Sequence, residues 1–263
     1  MENIINPIKE IEQYTICLYG EICKSYKPIG SGILIQLDDK FYLISAYHVF
    51  DREEEMLKIE NDPDEIGIDH DDMESVFIRV IVRDKVIFNK INSSSTSIVF
   101  TAYPDDEGNP IINEDTEYTV CHLTKENVQY ILSAGKSFYN AKKEISEDEL
   151  YTDSIIISGF PSYASKKFIG EYRSFKCEIN DNIKPTEKCL IRVMFDNKVA
   201  YNYEQNKTIK IYGIDGMSGG GIWKYTNDMI FPIGIILKQD PNEYYVEGYK
   251  FDLIISDIKE LNK

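Results

Sequence analysis

The stretch Gly213-Ile214-Asp215-Gly216-Met217-Ser218-Gly219-Gly220-Gly221-Ile222-Trp223 decides how the rest of the chain is read. In it Gly216, Gly219 and Gly220 surround one hydroxyl, that of Ser218. Glycine tolerates positive φ and lets another segment approach the backbone closely, so the run predicts a tight turn that presents the serine. If the Ser218 hydroxyl attacks a carbonyl, the N–H groups of Gly216 and Ser218 are candidates to hold the oxyanion that forms. The plainer reading is a glycine-rich turn with an incidental serine, and the stretch alone leaves both open.

The same letters fit G-x-S-x-G, the strand-to-helix turn that carries the nucleophile in α/β-hydrolases. That arrangement places the acid and then the histidine after the serine. Here the three histidines, His48, His70 and His122, all precede Ser218. The run Gly219–Trp223 is also a poor helix start. Both requirements fail, and this fold is excluded.

At 263 residues the chain is long enough for one large domain or two fused small ones. A hydrophobic share of 43% argues against wholesale disorder. The balance of 45 acidic to 29 basic residues, a formal charge of −16, repels phosphate backbones and disfavours nucleic acid as a partner. Cys17, Cys23, Cys121, Cys177 and Cys189 are odd in number and lack C-x-x-C spacing, so free thiols in a reducing compartment are expected. The N-terminus has neither a basic start nor an apolar core, and no run reaches membrane-spanning length. A cytoplasmic chain with no membrane partner is the expectation.

Working outward from Ser218, the chain is a series of short apolar and β-branched runs. Tyr14–Ile22, Gly30–Leu37 and Phe41–Ser45 read as strands, the last two joined by the hairpin turn Asp38-Asp39-Lys40. His48 follows directly, in Ser45-Ala46-Tyr47-His48-Val49, and is either a satisfied core residue or a base. Ser75–Val82, Lys85–Ile91, Ser97–Tyr103 and Glu117–Leu123 are further strands, with a polar loop over Pro104–Glu114. The acidic segment 51–74 does not match a calcium loop and is read as a solvated loop, with no metal site assigned. A short helix is expected near Glu126–Leu132 and another over Leu253–Leu261. The second half gives Ile155–Ser158, Arg173–Ile179, Cys189–Phe195, Thr208–Tyr212, Ile222–Tyr225, Phe231–Leu237 and Tyr244–Phe251. About thirteen close-spaced strands with almost no internal helix predict paired barrels or a sandwich.

Four pieces now fall in one order: Gly30-Ser31-Gly32, Ser45-Ala46-Tyr47-His48-Val49, Gly159-Phe160-Pro161 and Gly216-Met217-Ser218-Gly219-Gly220. In this the chain resembles the trypsin/chymotrypsin-like serine peptidases, most closely their bacterial, disulfide-free members. Phe231–Ile236 resembles the strand that lines the substrate cleft, and Leu253–Leu261 the terminal helix. The resemblance implies an all-β fold of two six-stranded antiparallel β-barrels with a short C-terminal helix. It divides the chain into a lead over 1–13, a first barrel over 14–135, a linker over 136–152, a second barrel over 153–252 and a helix over 253–263.

It further implies a serine endopeptidase in which His48 is the base, Ser218 the nucleophile and a carboxylate the histidine's partner, with no metal or cofactor. Sliding the family's D-I-A-x-L strand along the chain puts Glu117 on the acid, with Asp115 the alternative and Asp153 a third. Glutamate in place of the family's aspartate keeps open a catalytically dormant binding or scaffold module. Met217 stands where digestive members carry an aspartate that binds a freed N-terminus, so activation by that route is not expected. A peptidase switched by a regulatory protein partner, as in stress or defence systems, is a third reading. By register, Tyr212 lies near the base of the primary pocket, and Leu237, Lys238 and Gln239 form its wall and pair with substrate. The substrate expected is a protein or peptide.

Overall fold

Apolar runs become strands wherever both of their faces can be covered, and here they assemble into two antiparallel sheets. The computed structural model describes residues 7–22, 25–50, 76–82, 85–91, 96–99, 102–104, 110–112, 118–142, 154–161, 175–179, 183–185, 189–194, 200–202, 207–209, 216–226, 228–240 and 245–262. The chain opens with helix α1 (Pro7–Tyr14), whose Ile8 and Ile11 are buried. Strands β1 (Thr15–Ile22), β2 (Ser25–Leu37), β3 (Lys40–Ala46), β4 (Val76–Val82) and β5 (Lys85–Ile91) follow. Then come β6 (Thr96–Val99), β7 (Ala102–Pro104), β8 (Pro110–Ile112), β9 (Tyr118–His122), helix α2 (Lys125–Ser133) and β10 (Tyr139–Asn140). The second half holds β11 (Ser154–Gly159), β12 (Phe175–Ile179), β13 (Ile183–Pro185), β14 (Leu190–Met194), β15 (Ala200–Asn202) and β16 (Lys207–Ile209). It ends with β17 (Gly221–Thr226), β18 (Met229–Asp240), β19 (Tyr245–Lys250) and helix α3 (Phe251–Leu261).

The first sheet runs β5-β4-β1-β2-β3-β9-β6, with β10 added in parallel on β2. The second runs β12-β11-β17-β18-β19-β14-β13, and β7–β8 and β15–β16 are separate two-stranded ribbons. Six strands to a barrel was the expectation; the described pairings give sheets of eight and seven strands, mostly β with few helices. Strands β2 and β3 are central because Ile33, Leu34, Ile35, Leu43 and Ile44 are all fully buried, which requires cover on both faces. Their two-residue hairpin pairs Leu37 with Lys40 and holds Asp38 at φ 57°, the positive value such tight turns need.

Part of the lead is α1, and within the stretch read as linker Tyr139 and Asn140 pair with Ile35 and Gln36. Helix α2 begins at a capping box, in which Thr124 Oγ1 accepts the Asn127 N–H at 3.2 Å and Asn127 Oδ1 accepts the Thr124 N–H at 3.4 Å.

The sheets meet over a buried polar chain whose directions follow from the donors present. Trp223 Nε1 donates to Ser158 Oγ at 2.8 Å, and Thr15 Oγ1 donates to the Ile11 carbonyl at 3.0 Å. The remaining 3.0 Å contact between the two hydroxyls must therefore be Ser158 donating to Thr15. Tyr14 stacks on Trp223 with centroids 6.0 Å apart, and Tyr139 meets both rings edge-on.

Candidate active site

One tripeptide of β2 seats both of the turns singled out in the sequence. Gly30 makes room for Val49, since a Cβ at position 30 would meet the Val49 methyls at 2.6 Å. Val49 belongs to the 3-10 turn Tyr47–Val49 that carries His48, closed by the Phe50 N–H on the Tyr47 carbonyl at 2.7 Å. The neighbouring Ser31 then holds the other turn. Its N–H donates to the Ser218 carbonyl at 2.8 Å and its hydroxyl to the Gly216 carbonyl at 3.0 Å. The same hydroxyl accepts the Phe160 N–H at 2.9 Å, and the Ser31 carbonyl accepts from Ser45 Oγ at 2.7 Å. Ser31 is fully buried, and each of these bonds is correspondingly strong in geometric control.

Ser218 sits at the corner of a tight turn. The Gly220 N–H donates to the Met217 carbonyl at 2.8 Å, and Gly219, the third residue of the four, has φ +80°. That is the pattern of a type II turn, with Ser218 at its second position and a glycine required at its third. The turn is fixed on two more sides. Gly219 donates to the Ile236 carbonyl at 2.7 Å, and the Ile236 N–H returns to the Gly220 carbonyl at 2.8 Å. Met217 is fully buried against Gly159, where an added Cβ would stand 2.9 Å from the Met217 Cβ. The residue expected to lack an activating carboxylate is thus an apolar plug beneath the serine.

The Ser218 turn also touches the strand end that leads to His48. A Cβ at Gly219 would lie 2.1 Å from Ser45 Oγ, 2.3 Å from the Ser31 carbonyl oxygen and 2.9 Å from the Ala46 nitrogen. Ala46 is two residues from His48, and His48 itself is exposed while Ser218 is half-buried. Strand β9 lies beside the same strand end, pairing Ser45 with Thr119 and Ala46 with Tyr118.

The remaining candidates divide in two. Glu117, Asp115, Asp153 and Tyr212 lie outside the described residues, as does the acidic segment 51–74. Leu237 is buried in the core, Gln239 is half-buried, and the exposed Lys238 brings its Nζ within 3.6 Å of Glu247 Oε1. Glu247, on β19, is itself buried and accepts from Arg192 Nε at 2.6 Å, so one carboxylate holds two cations, Arg192 from β14 and Lys238 from β18. Ser31 and Ser45 were not singled out for the site by sequence reasoning. The signal available was a small hydroxyl between two glycines, and another at a strand end just before a histidine.

Among the described residues Cys17, Cys121 and Cys189 are buried and in no disulfide, and no group of three or more His, Cys, Asp or Glu side chains is placed to hold a metal. None of their helices is long and apolar enough to cross a membrane.

No protein-family model matches the sequence, and no curated protein matches it in sequence. The architecture is similar to that of AL20, a thermostable serine protease from an extremophilic microorganism. The two superpose with a TM-score of 0.50 at 10% identity over 91% of each chain. The chain has a serine-protease fold. With 91% of both chains covered, the protease-like architecture extends over both sheets, with His48 after a strand of the first and Ser218 on a turn leading into the second.

Proposed function

We propose that the chain is a serine endopeptidase acting on protein or peptide substrates, with Ser218 as nucleophile, His48 as base and Glu117 as the carboxylate partner of the histidine. The single observation that carries this reading is the Gly30–Gly32 tripeptide. Gly30 receives the turn that bears His48, and Ser31 binds the turn that bears Ser218. A glycine-rich turn with an incidental serine has no reason to be bonded at Gly216, Ser218, Gly219 and Gly220 to strands of both sheets.

The chemistry is acyl transfer. His48 takes the proton from the Ser218 hydroxyl as its oxygen attacks the carbonyl, then returns it to the leaving amine. Water resolves the acyl-enzyme by the same route. Oxyanion donation falls to Gly216 and Ser218, because the N–H groups of Gly219 and Gly220 are already committed to Ile236 and Met217. Support for Glu117 comes from the residues that follow it. With Glu117 as the acid, Tyr118-Thr119-Val120-Cys121 follow it as the small and apolar residues of the resembled strand, and these residues pair beside the strand end that leads to His48.

The test is to incubate the protein with an unfolded, reduced protein substrate and map new termini by mass spectrometry. Cleavage at internal bonds that disappears with Ser218→Ala is the expected result. Termini that persist in Ser218→Ala, or an absence of cleavage by the wild type across varied substrates, would remove the endopeptidase assignment.

A further inference from the structure

We propose that the C-terminal helix α3 is the clamp that sets strand β9 against the strand end leading to His48, acting through a hydrogen bond from Tyr118 to Asp257. This rests on the peptidase reading above and adds Tyr118 and Asp257 as positioning residues. Tyr118 opens β9, stands opposite Ala46, and is joined through one peptide bond to Glu117. Its side chain is fully buried, its hydroxyl donates to Asp257 Oδ2, and its ring lies 4.8 Å from that of Tyr249 on β19. Burial first, and then the hydrogen bond and charge of Asp257, push the Tyr118 hydroxyl far above its ordinary value. It therefore remains a proton donor throughout the working range, and its bond to a carboxylate is of the charge-assisted kind.

The helix is well placed to act as a strut along β3. It continues directly from β19 of the second sheet, with Ile254, Ile255 and Ile258 buried beneath it. At its C-terminal end Asn262 Nδ2 donates to the Tyr42 hydroxyl at 2.8 Å, and Lys40 Nζ donates to Asn262 Oδ1 at 2.5 Å. It thus holds the first sheet at two places, the start of β3 and, through β9, the end of β3 that leads to His48.

The position of the anchor matters because strand side chains alternate. Pinning residue 118 toward the helix leaves Thr119 on the opposite face, shared with Ser45, where the Ser218 turn packs. A slip of one residue would reverse that choice. The Tyr118–Asp257 bond therefore holds the register that pairs Tyr118 with Ala46 and Thr119 with Ser45, beside the turn that bears His48.

Fluorophosphonate inactivation rates, kcat and KM on one peptide, and melting temperatures would be measured for wild type, Tyr118→Phe, Asp257→Ala and Asp257→Asn. With the clamp lost, Tyr118→Phe and Asp257→Ala should lose roughly 10- to 100-fold in inactivation rate and kcat with KM little changed. Asp257→Asn keeps an accepting oxygen and should retain more of the rate than Asp257→Ala. Should Tyr118→Phe fail to fold, the two Asp257 variants carry the comparison. Folded Tyr118→Phe and Asp257→Ala proteins that react at the wild-type rate, whatever their melting temperatures, would overturn the clamp alone. A wild type that never reacts with the probe would overturn the peptidase reading and the clamp with it.

Discussion

Replacing Gly219 with alanine isolates the contact on which the site depends, because Gly135 offers a matched control. Both glycines adopt left-handed backbone, with φ +80° at Gly219 and +75° at Gly135. An alanine at either place bears a conformational cost of about 1–2 kcal/mol. Their surroundings differ completely. A Cβ at Gly135 meets nothing within 4 Å, whereas one at Gly219 would stand 2.3 Å from the Ser31 carbonyl oxygen and 2.9 Å from the Ala46 nitrogen, both backbone atoms. An ordinary carbon–oxygen contact is about 3.3 Å, so the turn must withdraw by roughly 1 Å. That breaks the 2.8 Å bond from the Ser31 N–H to the Ser218 carbonyl. The stranded donor costs about 1–3 kcal/mol more.

Together Gly219→Ala should destabilise by roughly 2–5 kcal/mol, against about 1–2 for Gly135→Ala. At about 2 °C per kcal/mol for a chain of this size, the melting temperatures should fall by roughly 4–10 °C and 2–4 °C respectively. A shift of about 1 Å in the serine should also cost on the order of 10²-fold in reaction with a fluorophosphonate. Gly135→Ala should react like wild type. Circular dichroism melts and probe labelling measure both quantities. Equal melting temperatures and equal labelling for the two variants would refute the reasoning that the Ser218 turn is seated on β2 and β3.

Three further outcomes are expected. Ser158→Ala removes the acceptor of the buried Trp223 N–H and the donor to Thr15, and urea unfolding should show a loss of about 1–3 kcal/mol. Glu247→Ala takes the shared carboxylate from the part-buried Arg192 and the exposed Lys238. It should destabilise by about 2 kcal/mol, less than a fully buried pair because both cations reach solvent, and Arg192→Met in the same background should recover part of it. Alkaline pH should weaken the fold. Burial raises the hydroxyls of Tyr118 and Tyr139 above the ordinary value of 10.0, so above that pH the unfolded chain releases protons that the folded one keeps. Their contribution is intact below about pH 10 and is lost as pH rises further, at about 1.4 kcal/mol per pH unit for each group. Tyr139→Phe should flatten the decline in melting temperature above pH 10; an unchanged slope would contradict it.

The central strands were legible because β2 and β3 carry unbroken apolar runs joined by Asp38-Asp39, and both the run and the turn have local causes. Helices α2 and α3 were legible from their spacing, although α3 begins two residues before the expected Leu253. Helix α1 was not, since eight residues with only Ile8 and Ile11 inward make little periodic signal. The run expected as one strand over Ser97–Tyr103 is divided between β6 and β7, and only β6 pairs within the large sheet. Strand β8 lies inside the expected polar loop, because Pro110–Ile112 is too short for pattern to reveal. At the site, Gly216 and Gly219 announced their positive φ in sequence, being glycines beside a serine. The role of Ser31 did not show, because it arises from partners 185 and 187 residues away that only the folded chain brings to it. The same limit hides the Tyr118–Asp257 bond, which spans 139 residues.

The most direct test of an assembled nucleophile and base is labelling of the purified protein by a fluorophosphonate probe, beside Ser218→Ala and His48→Ala. The expected result is stoichiometric labelling of Ser218 in the wild type and none in either variant. Turnover in both variants should fall on the order of 10⁶-fold, as in other triads. A wild type left unlabelled under conditions that label an active serine hydrolase, or labelling that survives Ser218→Ala, would contradict the assignment of Ser218 as nucleophile.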